Sequence, residues 1–272
     1  MPLNPRLLMC TPTHFAVDYV INPWMEGNLH AADPARAHLQ WTALHDSLSE
    51  MARIELIEPG HDLPDMPFTA NAGLVLGDVF VPSRFHHKQR QGEEALFTAW
   101  FSRRGFTVRP LPDGMDFEGA GDALLDRQAP RLWVGYGHRS DAGVAQELAA
   151  MFDMETVALR LSDPRFYHLD TCFCPLAGGW LLYYPPAFDA DAIGAITSRI
   201  PESRRIAVSE HDALAFACNA VNLGTTVVVN RASNELKATL HTAGFEVTET
   251  PLDEFLKAGG SAKCLTLRLD EP

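Results

Sequence analysis

Apolar positions along the chain form short paired runs, each pair separated by a tight turn. The paired runs lie within residues 72–81, 121–135, 171–183 and 220–229. Their turns fall near residues 77, 128, 178 and 224. Short apolar runs bounded by glycine and polar turn residues are typical of β-hairpins, and recurrence about every 50 residues is typical of repeat architectures. The pattern therefore predicts four hairpins in successive structural repeats.

The last dozen residues contain a glycine-rich loop followed by a single strand rather than a pair of strands. Residues 259–260 are two glycines, and they lead into residues 265–269, where leucines alternate with polar side chains. We predict that this strand pairs with the apolar residues 7–9 and closes a fifth repeat. Cys264 lies at the junction of loop and strand, where a thiol can meet a substrate with little backbone in the way. The alternative is that Cys264 is a small buried core residue.

Helical periodicity occurs between the hairpins. Between residues 33 and 51 apolar side chains recur at spacings of three and four, after an aspartate–proline pair suited to a helix start. We predict helices over residues 33–51, 91–104, 141–152, 190–199 and 233–242. Hairpin, helix and strand repeated about five times predict α/β units around a centre, with hairpins inside and helices outside. No linker or change in composition divides the chain, so we predict one catalytic domain over residues 1–272.

Charge and cysteine content narrow the choice of partners. With 22 Lys and Arg against 35 Asp and Glu, the net charge is −13, which argues against nucleic acid or an anionic membrane and suits a cationic small molecule. No run reaches the roughly 18 apolar residues of a membrane span, and no signal peptide is recognised. Five cysteines without metal-ligand spacing predict reduced thiols in the cytoplasm. We interpret Cys172 and Cys174 as packing residues.

Unusual polar residues occupy equivalent places beside the apolar hairpins. They are Asn71, Glu118 with Asp122, His168 with Asp170, and Cys264. His168 and Asp170 are predicted to share one face of an extended segment. Each residue has a structural alternative: a turn asparagine, a solvated glutamate, a loop-capping aspartate or a satisfied core histidine. Their equivalent positions in successive repeats favour a single converging site.

Together these side chains indicate a particular chemistry. A cysteine attacks as the thiolate, and a histidine oriented by a carboxylate transfers protons near neutral pH. Further carboxylates are superfluous for hydrolysing a peptide or ester, but they can hold a guanidinium group through paired hydrogen bonds. The set therefore indicates attack on a guanidine or amidine carbon.

The segments 117–122, 168–170 and 259–264 resemble those of the guanidino-group-modifying (pentein) superfamily of arginine deiminases, dimethylarginine dimethylaminohydrolases and amidinotransferases. The resemblance implies a five-bladed α/β propeller with pseudo-fivefold symmetry. It also implies a covalent S-alkylthiouronium intermediate on Cys264 and no requirement for a cofactor or metal.

Residues 17–25, with Asn71, Arg90 and Arg139, further resemble the arginine dihydrolase domain of cyanobacterial ornithine-forming bifunctional enzymes. That resemblance implies hydrolysis of arginine to ornithine, carbon dioxide and two ammonia molecules. The alternative is a dimethylarginine dimethylaminohydrolase or an arginine deiminase, which releases citrulline. The chain ends soon after Cys264, so we expect no ornithine-processing part.

The resemblance also implies residue roles. Cys264 would be the nucleophile, His168 the acid and base, and Glu118 the group that grips the guanidinium. The residues implied to hold substrate are Asn22, Asn71, Arg90 and Arg139, and we place Asp122 with them. Asp170 is assigned by its position two residues after His168, either to orient the imidazole or to bind a guanidinium nitrogen.

Asn71 departs from the pattern of the superfamily, since deiminases and dimethylarginine enzymes usually carry an aspartate there. A neutral amide clamps the guanidinium less rigidly. Our hypothesis is that it leaves a citrulline-like ureido intermediate reactive for a second hydrolysis. Without the resemblance, Arg90 and Arg139 are interpreted as solvated arginines. Residues 13–30 lack periodicity and are interpreted as a lid over the site.

Two other classes of function stay open from the sequence. A metal-dependent hydrolase would use His14, His86, His87, His168 and Asp170, although these lack a tight ligand spacing. A propeller that serves only as a binding scaffold is the second, because a fold alone does not define a function. The expected partner is a small guanidino compound, with neither nucleic acid nor membrane, and an oligomer is left open.

Overall fold

Each predicted hairpin is an antiparallel pair of strands, and a further strand pairs with it in parallel. The structure, a computed structural model, describes residues 5–272, and within them these strands form five three-stranded sheets. The strands in chain order are β1 (Arg6–Cys10), β2 (Arg53–Ile57), β3 (Gly73–Leu76), β4 (Val79–Pro82), β5 (Thr107–Val108), β6 (Ala123–Leu125), β7 (Arg131–Tyr136), β8 (Glu155–Arg160), β9 (Phe173–Leu176), β10 (Trp180–Tyr183), β11 (Arg205–Ala207), β12 (Val221–Leu223), β13 (Thr226–Val229), β14 (Glu246–Glu249) and β15 (Leu267–Arg268). The sheets are β3-β4-β5, β6-β7-β8, β9-β10-β11, β12-β13-β14 and β15-β1-β2.

The two ends of the chain complete the fifth sheet. Strand β15 pairs antiparallel with β1, with Leu8 opposite Leu267 and Leu7 opposite Arg268. This register confirms the predicted closure. The strand is shorter than predicted, because Cys264 and Leu265 lie in a turn that precedes it. That turn follows from the backbone hydrogen bond that Leu265 donates to the Ser261 carbonyl at 3.1 Å.

The hairpin turns occur at the predicted places. Gly77 joins β3 to β4 and Gly224 lies between β12 and β13, with φ angles of +57° and +61°. A left-handed backbone is favourable for glycine because it has no Cβ atom. These short turns set the antiparallel register in which Leu76 faces Val79 and Leu223 faces Thr226.

Five helices connect each antiparallel strand pair to its parallel third strand, and two short helices lead from one sheet to the next. They are α1 (Pro34–Ser49), α2 (Lys88–Arg103), α3 (Val144–Phe152), α4 (Ala190–Thr197), α5 (Glu210–Leu214), α6 (Asn234–Thr242) and α7 (Asp253–Leu256). Five of them correspond to predicted helices, with shifted ends. Helix α3 begins at Val144, later than the predicted start at residue 141, and leaves Arg139 in the preceding loop. Helices α5 and α7 were not predicted, because four or five residues are too few for a periodic pattern.

Burial of the strands distinguishes the inside of the molecule from the outside. All four residues of β3 are buried, whereas the third strands β2 and β14 are largely exposed or half-buried. Helix α1 buries Ala37, Trp41, Leu44 and Leu48, as predicted, while Met51 lies beyond its end. The predicted arrangement of hairpins inside and helices outside is confirmed, and the fold is a five-bladed α/β propeller.

Among residues 5–272, no helix is both long enough and apolar enough to cross a lipid bilayer.

Candidate active site

Short 3-10 turns precede the first strand of three successive sheets, and they contain or directly flank five of the nine predicted site residues. They span Thr69–Ala72 before β3, Gly119–Gly121 before β6, and Leu169–Thr171 before β9. Because repeated units place equivalent residues around one axis, these turns meet at the same end of the molecule. The Cys264 turn joins them through its carbonyl, which accepts a hydrogen bond from the Ala70 amide at 3.0 Å.

Every predicted site residue is buried. The nine residues are Asn22, Asn71, Arg90, Glu118, Asp122, Arg139, His168, Asp170 and Cys264. Arg90 and Arg139 are only 3% and 4% exposed, so the interpretation of them as solvated arginines is wrong. A buried guanidinium must be matched by acceptors, and each of the two has them.

The turn at Leu169–Thr171 changes the relation predicted for His168 and Asp170. The segment is not extended, and the turn directs the two side chains to different partners. Nε2 of His168 lies 2.6 Å from Oε2 of Glu118, whereas the carboxylate of Asp170 lies beside the Cys264 sulfur. The prediction of a shared face is therefore wrong, because a 3-10 turn does not have the two-residue period of a strand.

The Glu118 carboxylate is held by two cationic or protonatable groups. Its Oε2 atom accepts from Nη1 of Arg139 at 2.9 Å and lies against the imidazole of His168. Burial alone would raise the pKa of Glu118, but Arg139 and His168 outweigh burial and hold that pKa well below its ordinary range. The Oε1 atom accepts a backbone hydrogen bond from His86 at 3.3 Å, and a carboxylate oxygen can accept more than one.

Asp122 binds residues adjacent to the interacting Glu118 and His168 side chains. Its Oδ2 atom accepts from the Ser140 hydroxyl at 2.7 Å, and its Oδ1 atom accepts from the Leu169 amide at 3.0 Å. Burial raises the pKa of Asp122 to about 6, with His168 and Ser140 acting in the opposite direction. Asp122 therefore fixes the backbone next to His168.

Gly121 brings the turns close together. A Cβ atom at this position would overlap Nδ2 of Asn71 and lie 3.4 Å from Cγ of His168. Nδ2 of Asn71 donates to the Glu118 carbonyl at 3.2 Å, which links the first turn to the second. The absence of a side chain at Gly121 therefore lets Asn71 and His168 approach each other.

The Cys264 thiol lies between an amide and a carboxylate. Its Sγ atom is 3.1 Å from Nδ2 of Asn219 and 3.6 Å from Oδ2 of Asp170. Burial raises the pKa of the Cys264 thiol, and the neighbouring Asp170 raises it further. Burial likewise raises the pKa of Asp170 to about 7, partly offset by Lys263. A cation close to Sγ would favour the thiolate.

A small cavity opens beside Cys264. The polar and charged residues that line it are Asn22, Asp65, Asn71, Arg90, Arg139 and Cys264. Nη1 of Arg90 donates to Oδ1 of Asn71 at 2.8 Å, and its Nη2 and Nε atoms pair with Glu93, also at 2.8 Å. The cavity thus combines a thiol, two buried guanidinium groups and a carboxylate.

Asp65 was missed by the sequence analysis, because it lies in an aperiodic loop away from the hairpin ends. It is 2% exposed, and its Oδ2 atom accepts from the Tyr19 hydroxyl at 2.8 Å. Its Oδ1 atom is buried without a hydrogen-bond partner among residues 5–272. Burial raises the pKa of Asp65, opposed by Arg90. A buried oxygen with spare acceptor capacity at a cavity wall is suited to a ligand donor.

Residues 13–30 cover the cavity. Asn22 caps the short 3-10 turn at Pro23–Met25 and donates to the Ala258 carbonyl at 3.0 Å. Arg139 donates to the Ile21 carbonyl at 2.9 Å, and the Trp24 indole donates to the Arg165 carbonyl at 2.6 Å. Hydrogen bonds therefore hold the segment predicted as a lid beside the cavity, through Asn22 and Ile21, and away from it, through Trp24.

The other residues considered for chemistry have separate surroundings. Nδ1 of His86 pairs with Asp116 at 2.6 Å, and the His14 ring packs against His61. In the part of the chain that the structure describes, no group of three or more His, Cys, Asp or Glu side chains could hold a metal ion. Cys172 and Cys174 are buried in the apolar core, in agreement with their interpretation as packing residues.

The chain is similar over nearly its whole length to enzymes named for arginine and dimethylarginine hydrolysis. The sequence profile described as N,N dimethylarginine dimethylhydrolase, eukaryotic, matches residues 27–270. The bifunctional arginine dihydrolase/ornithine cyclodeaminase ArgZ of Synechocystis is 59% identical over 267 residues, covering 98% of this chain and 38% of that protein. The N(G),N(G)-dimethylarginine dimethylaminohydrolase of Mycobacterium tuberculosis is 40% identical over 269 residues, covering 98% and 87%.

Solved structures agree with the sequence similarity. The N-terminal domain of ArgZ, as a C264S mutant bound to substrate, matches with a TM-score of 0.97 at 58% identity, covering 98% of this chain and 99% of that chain. Five three-stranded sheets around these buried side chains define a protein of the guanidino-group-modifying (pentein) superfamily. Within it, the chain belongs to the N,N-dimethylarginine dimethylhydrolase family. It spans 38% of the length of the two bifunctional cyanobacterial relatives.

Proposed function

We propose that the protein is a cysteine hydrolase that acts on the guanidino carbon of arginine and converts arginine to ornithine, carbon dioxide and two ammonia molecules. The observation that carries this proposal is that the Cys264 thiol lines one small cavity together with Arg90, Arg139 and Asp65. Two guanidinium groups suit a substrate carboxylate, and a buried carboxylate suits an ammonium group. This charge pattern is complementary to the backbone end of an amino acid.

The substrate charge is part of the proposed mechanism. Burial and Asp170 raise the pKa of the Cys264 thiol, so the free enzyme holds it protonated. A guanidinium cation bound between Glu118 and Asp170 would favour the thiolate at the moment when the electrophilic carbon is in place. The thiolate then adds to that carbon and forms a tetrahedral adduct.

His168 would move the protons in the next steps. It protonates one guanidino nitrogen, the C–N bond breaks, and ammonia departs. A thiouronium group then remains on Cys264. Glu118, hydrogen bonded to the ring at 2.6 Å, stabilises the imidazolium form that supplies this proton. A water molecule deprotonated by His168 adds to the thiouronium carbon, the C–S bond breaks, and the ureido product and the thiolate are released.

A second round on the ureido group would complete the dihydrolase reaction. Cys264 attacks the ureido carbon, the bond to the terminal nitrogen breaks, and ammonia departs, which leaves a thiocarbamate on Cys264. Water adds to the thiocarbamate carbon, the C–S bond breaks and releases the thiolate, and the resulting carbamate of ornithine breaks its C–N bond to give ornithine and carbon dioxide. Two water molecules are consumed in total for each arginine. The relative ArgZ, named as an arginine dihydrolase, supports this version, and its N-terminal domain as an N71S variant has been solved covalently bonded to a reaction intermediate.

A second candidate function is release of citrulline or of dimethylamine after a single round. Membership of the dimethylarginine dimethylhydrolase family favours this alternative. The experiment that tests the proposal is mass spectrometry of the products formed from arginine, citrulline and dimethylarginine. Ornithine from arginine supports the dihydrolase, citrulline from arginine supports a deiminase, and dimethylamine from dimethylarginine supports the alternative named by the family.

The nucleophile is tested by Cys264→Ala, with Cys174→Ala as the matched control. Cys174 is buried in the core and 3.6 Å from the Ala220 carbonyl, so its replacement changes packing but not the cavity. We expect the Cys264 variant to lose turnover entirely while it keeps the fold, and the Cys174 variant to retain turnover. Retained arginine hydrolysis by Cys264→Ala would overturn the mechanism.

The role proposed for Asn71 is tested by Asn71→Asp. Because Nη1 of Arg90 is 2.8 Å from Oδ1 of Asn71, an aspartate would be held as a fixed anion that clamps a guanidinium more tightly. We expect citrulline to accumulate at the expense of ornithine. The control is Asn230→Asp, a buried amide that contacts Ala215 and Leu252 instead. Ornithine formation without citrulline from Asn71→Asp would contradict the hypothesis.

We also propose that residues 1–272 act as one catalytic domain in the cytoplasm. Pairing of β15 with β1 joins the two ends of the described chain and supports a single unit, although residues 1–4 lie outside the described residues. All five cysteines are free thiols, which suits a reducing compartment. A single cooperative unfolding transition and fractionation of tagged protein test the two parts of this proposal.

A further inference from the structure

Asn219 occupies the place in the fourth repeat that the candidate site residues occupy in the others. It lies two residues before β12, as Asn71 lies two residues before β3. It is completely buried. It was not among the predicted site residues, although its position before the fourth hairpin matches that of Asn71 before the first. A buried amide needs partners for its oxygen and for both N–H groups.

The hydrogen bonds of Asn219 determine the orientation of its carboxamide. Its Oδ1 atom accepts from the backbone amides of Ser261 and Cys264, both at 3.1 Å. Backbone amides can only donate, so the oxygen must face them. The Nδ2 atom therefore faces the Asp170 carbonyl at 3.0 Å and the Cys264 sulfur at 3.1 Å.

This arrangement places two opposing groups at the sulfur. One N–H of Asn219 is taken by the Asp170 carbonyl, and the other points to Sγ, where it stabilises negative charge. The Asp170 carboxylate, 3.6 Å away on its nearer oxygen, disfavours the same charge. Asn219 does not line the cavity beside Cys264, so its effect on a reaction would pass through the cysteine.

We propose that Asn219 is the positioning residue of the nucleophile, which holds the turn of Ser261 and Cys264 through its oxygen and stabilises the Cys264 thiolate through its N–H group. The proposal rests on Cys264 being the nucleophile of the proposed function. It assigns the fourth repeat a part in the site, so that all five repeats contribute to it.

Substitution of Asn219 by aspartate separates its two roles, which are to hold the turn and to stabilise the thiolate. Asn219→Asp keeps an oxygen for the Ser261 and Cys264 amides but removes the N–H donor and adds negative charge beside the sulfur. The matched control is Asn222→Asp. The side-chain oxygen of Asn222 likewise accepts from a backbone amide, that of Ala177, and its NH2 group donates to two carbonyls, away from the thiol. Asn219→Ala removes both roles, and circular dichroism shows whether each variant is folded.

The primary measurement is the rate of iodoacetamide alkylation of Cys264 as a function of pH, followed on the peptide that contains Cys264. In the full-length Asn219→Asp variant we expect the pKa of alkylation to rise by about one unit or more, which lowers the thiolate fraction about tenfold at a given pH. Asn222→Asp should keep the wild-type pKa. A wild-type alkylation profile in folded Asn219→Asp would overturn the proposal.

Steady-state kinetics with arginine give a second, independent readout. Because Asn219 contacts the nucleophile and does not line the cavity, kcat should fall by about tenfold or more while KM changes by less than about twofold. A rise in KM with unchanged kcat would contradict a positioning role. Alkylation does not require turnover, so wild-type protein that leaves arginine intact would refute the proposed function while the thiol measurement still decides the role of Asn219.

Discussion

The imidazole of His168 and the carboxylate of Glu118 share a buried hydrogen bond of 2.6 Å between Nε2 and Oε2. The same carboxylate oxygen accepts from Arg139, which in turn holds the Ile21 carbonyl of the covering segment. One ionised carboxylate therefore links the proposed proton-transfer group to the residues that cover the cavity. Loss of this negative charge is therefore expected to lower both arginine turnover and the free energy of unfolding.

Replacement of Glu118 by glutamine is expected to reduce arginine turnover by about a hundredfold or more, because the imidazolium loses its counter-charge. It should also lower the free energy of unfolding by about 3–5 kcal/mol, since Arg139 keeps a buried charge without an anion. Glu210→Gln, which removes an exposed partner of Arg165, is the control and should change neither quantity. Steady-state kinetics and urea unfolding provide the measurements.

The pKa of Glu118 gives a further test of the same variant. Its folded pKa is below the ordinary value of 4.5, so its stabilising contribution is present above pH 4.5 and is lost as pH falls below it. Unfolding free energies measured through this range should decrease less steeply in Glu118→Gln than in the wild type. Parallel acid dependence in the two proteins would contradict an ionised Glu118.

Replacement of Asp170 by asparagine should have the opposite effect on the thiol from that of Asn219→Asp. Without a carboxylate 3.6 Å from Sγ, Cys264 should ionise at lower pH, and its iodoacetamide alkylation profile should move toward acid. Asp163→Asn removes a carboxylate that pairs with Arg165 at 2.7 Å and provides the control. An unchanged profile in Asp170→Asn would show that this carboxylate does not act on the thiol.

Asp170 also gives a stability prediction. Its folded pKa of about 7 is raised from 3.8, so the folded state keeps a proton that the unfolded state releases between these values. Stability from this residue is therefore fully present below about pH 4 and is lost as pH rises to about 7. Melting temperatures of Asp170→Asn should fall less than those of the wild type over this interval.

Gly121→Ala tests the close approach of the turns. The new Cβ would overlap Nδ2 of Asn71 and press on His168, so we expect arginine turnover to fall by about tenfold or more, with lower stability. Gly194→Ala is the matched control, because α4 leaves nothing within 4 Å of the added carbon. That variant should keep full turnover and gain up to about 1 kcal/mol. Equal activity of the two variants would argue against a packed site at Gly121.

Trp24→Phe tests the covering segment. The change removes the 2.6 Å hydrogen bond from the indole to the Arg165 carbonyl but keeps an aromatic ring against Phe216, 4.7 Å away. We expect faster amide hydrogen exchange in residues 13–30 and a higher KM for arginine, because the segment opens more readily. Trp180→Phe, far along the chain in β10, should leave both measurements unchanged. Wild-type exchange in Trp24→Phe would contradict the role of this contact.

The sequence by itself determined the repeat, since apolar pairs of strands and glycine turns are local signals that recur along the chain. The turns near Gly77 and Gly224, the buried face of α1 and the pairing of β1 with β15 all agree with it. It also pointed to Asn71, Glu118, His168, Asp170 and Cys264, because each is a polar or nucleophilic side chain beside an apolar hairpin or strand.

Only the tertiary structure decided which of these side chains act on one another. The alternation of residues along a strand does not reveal the 3-10 turn at Leu169–Thr171. Because of that turn, His168 contacts Glu118 whereas Asp170 contacts Cys264. Asp65 carries no local signal, since it lies in an aperiodic loop. Asn219 precedes a hairpin as Asn71 does, but its contact with Cys264 is visible only in the folded chain. Their significance comes from partners distant in sequence, and a hydrogen bond between remote segments depends on how the sheets close rather than on the residues beside it.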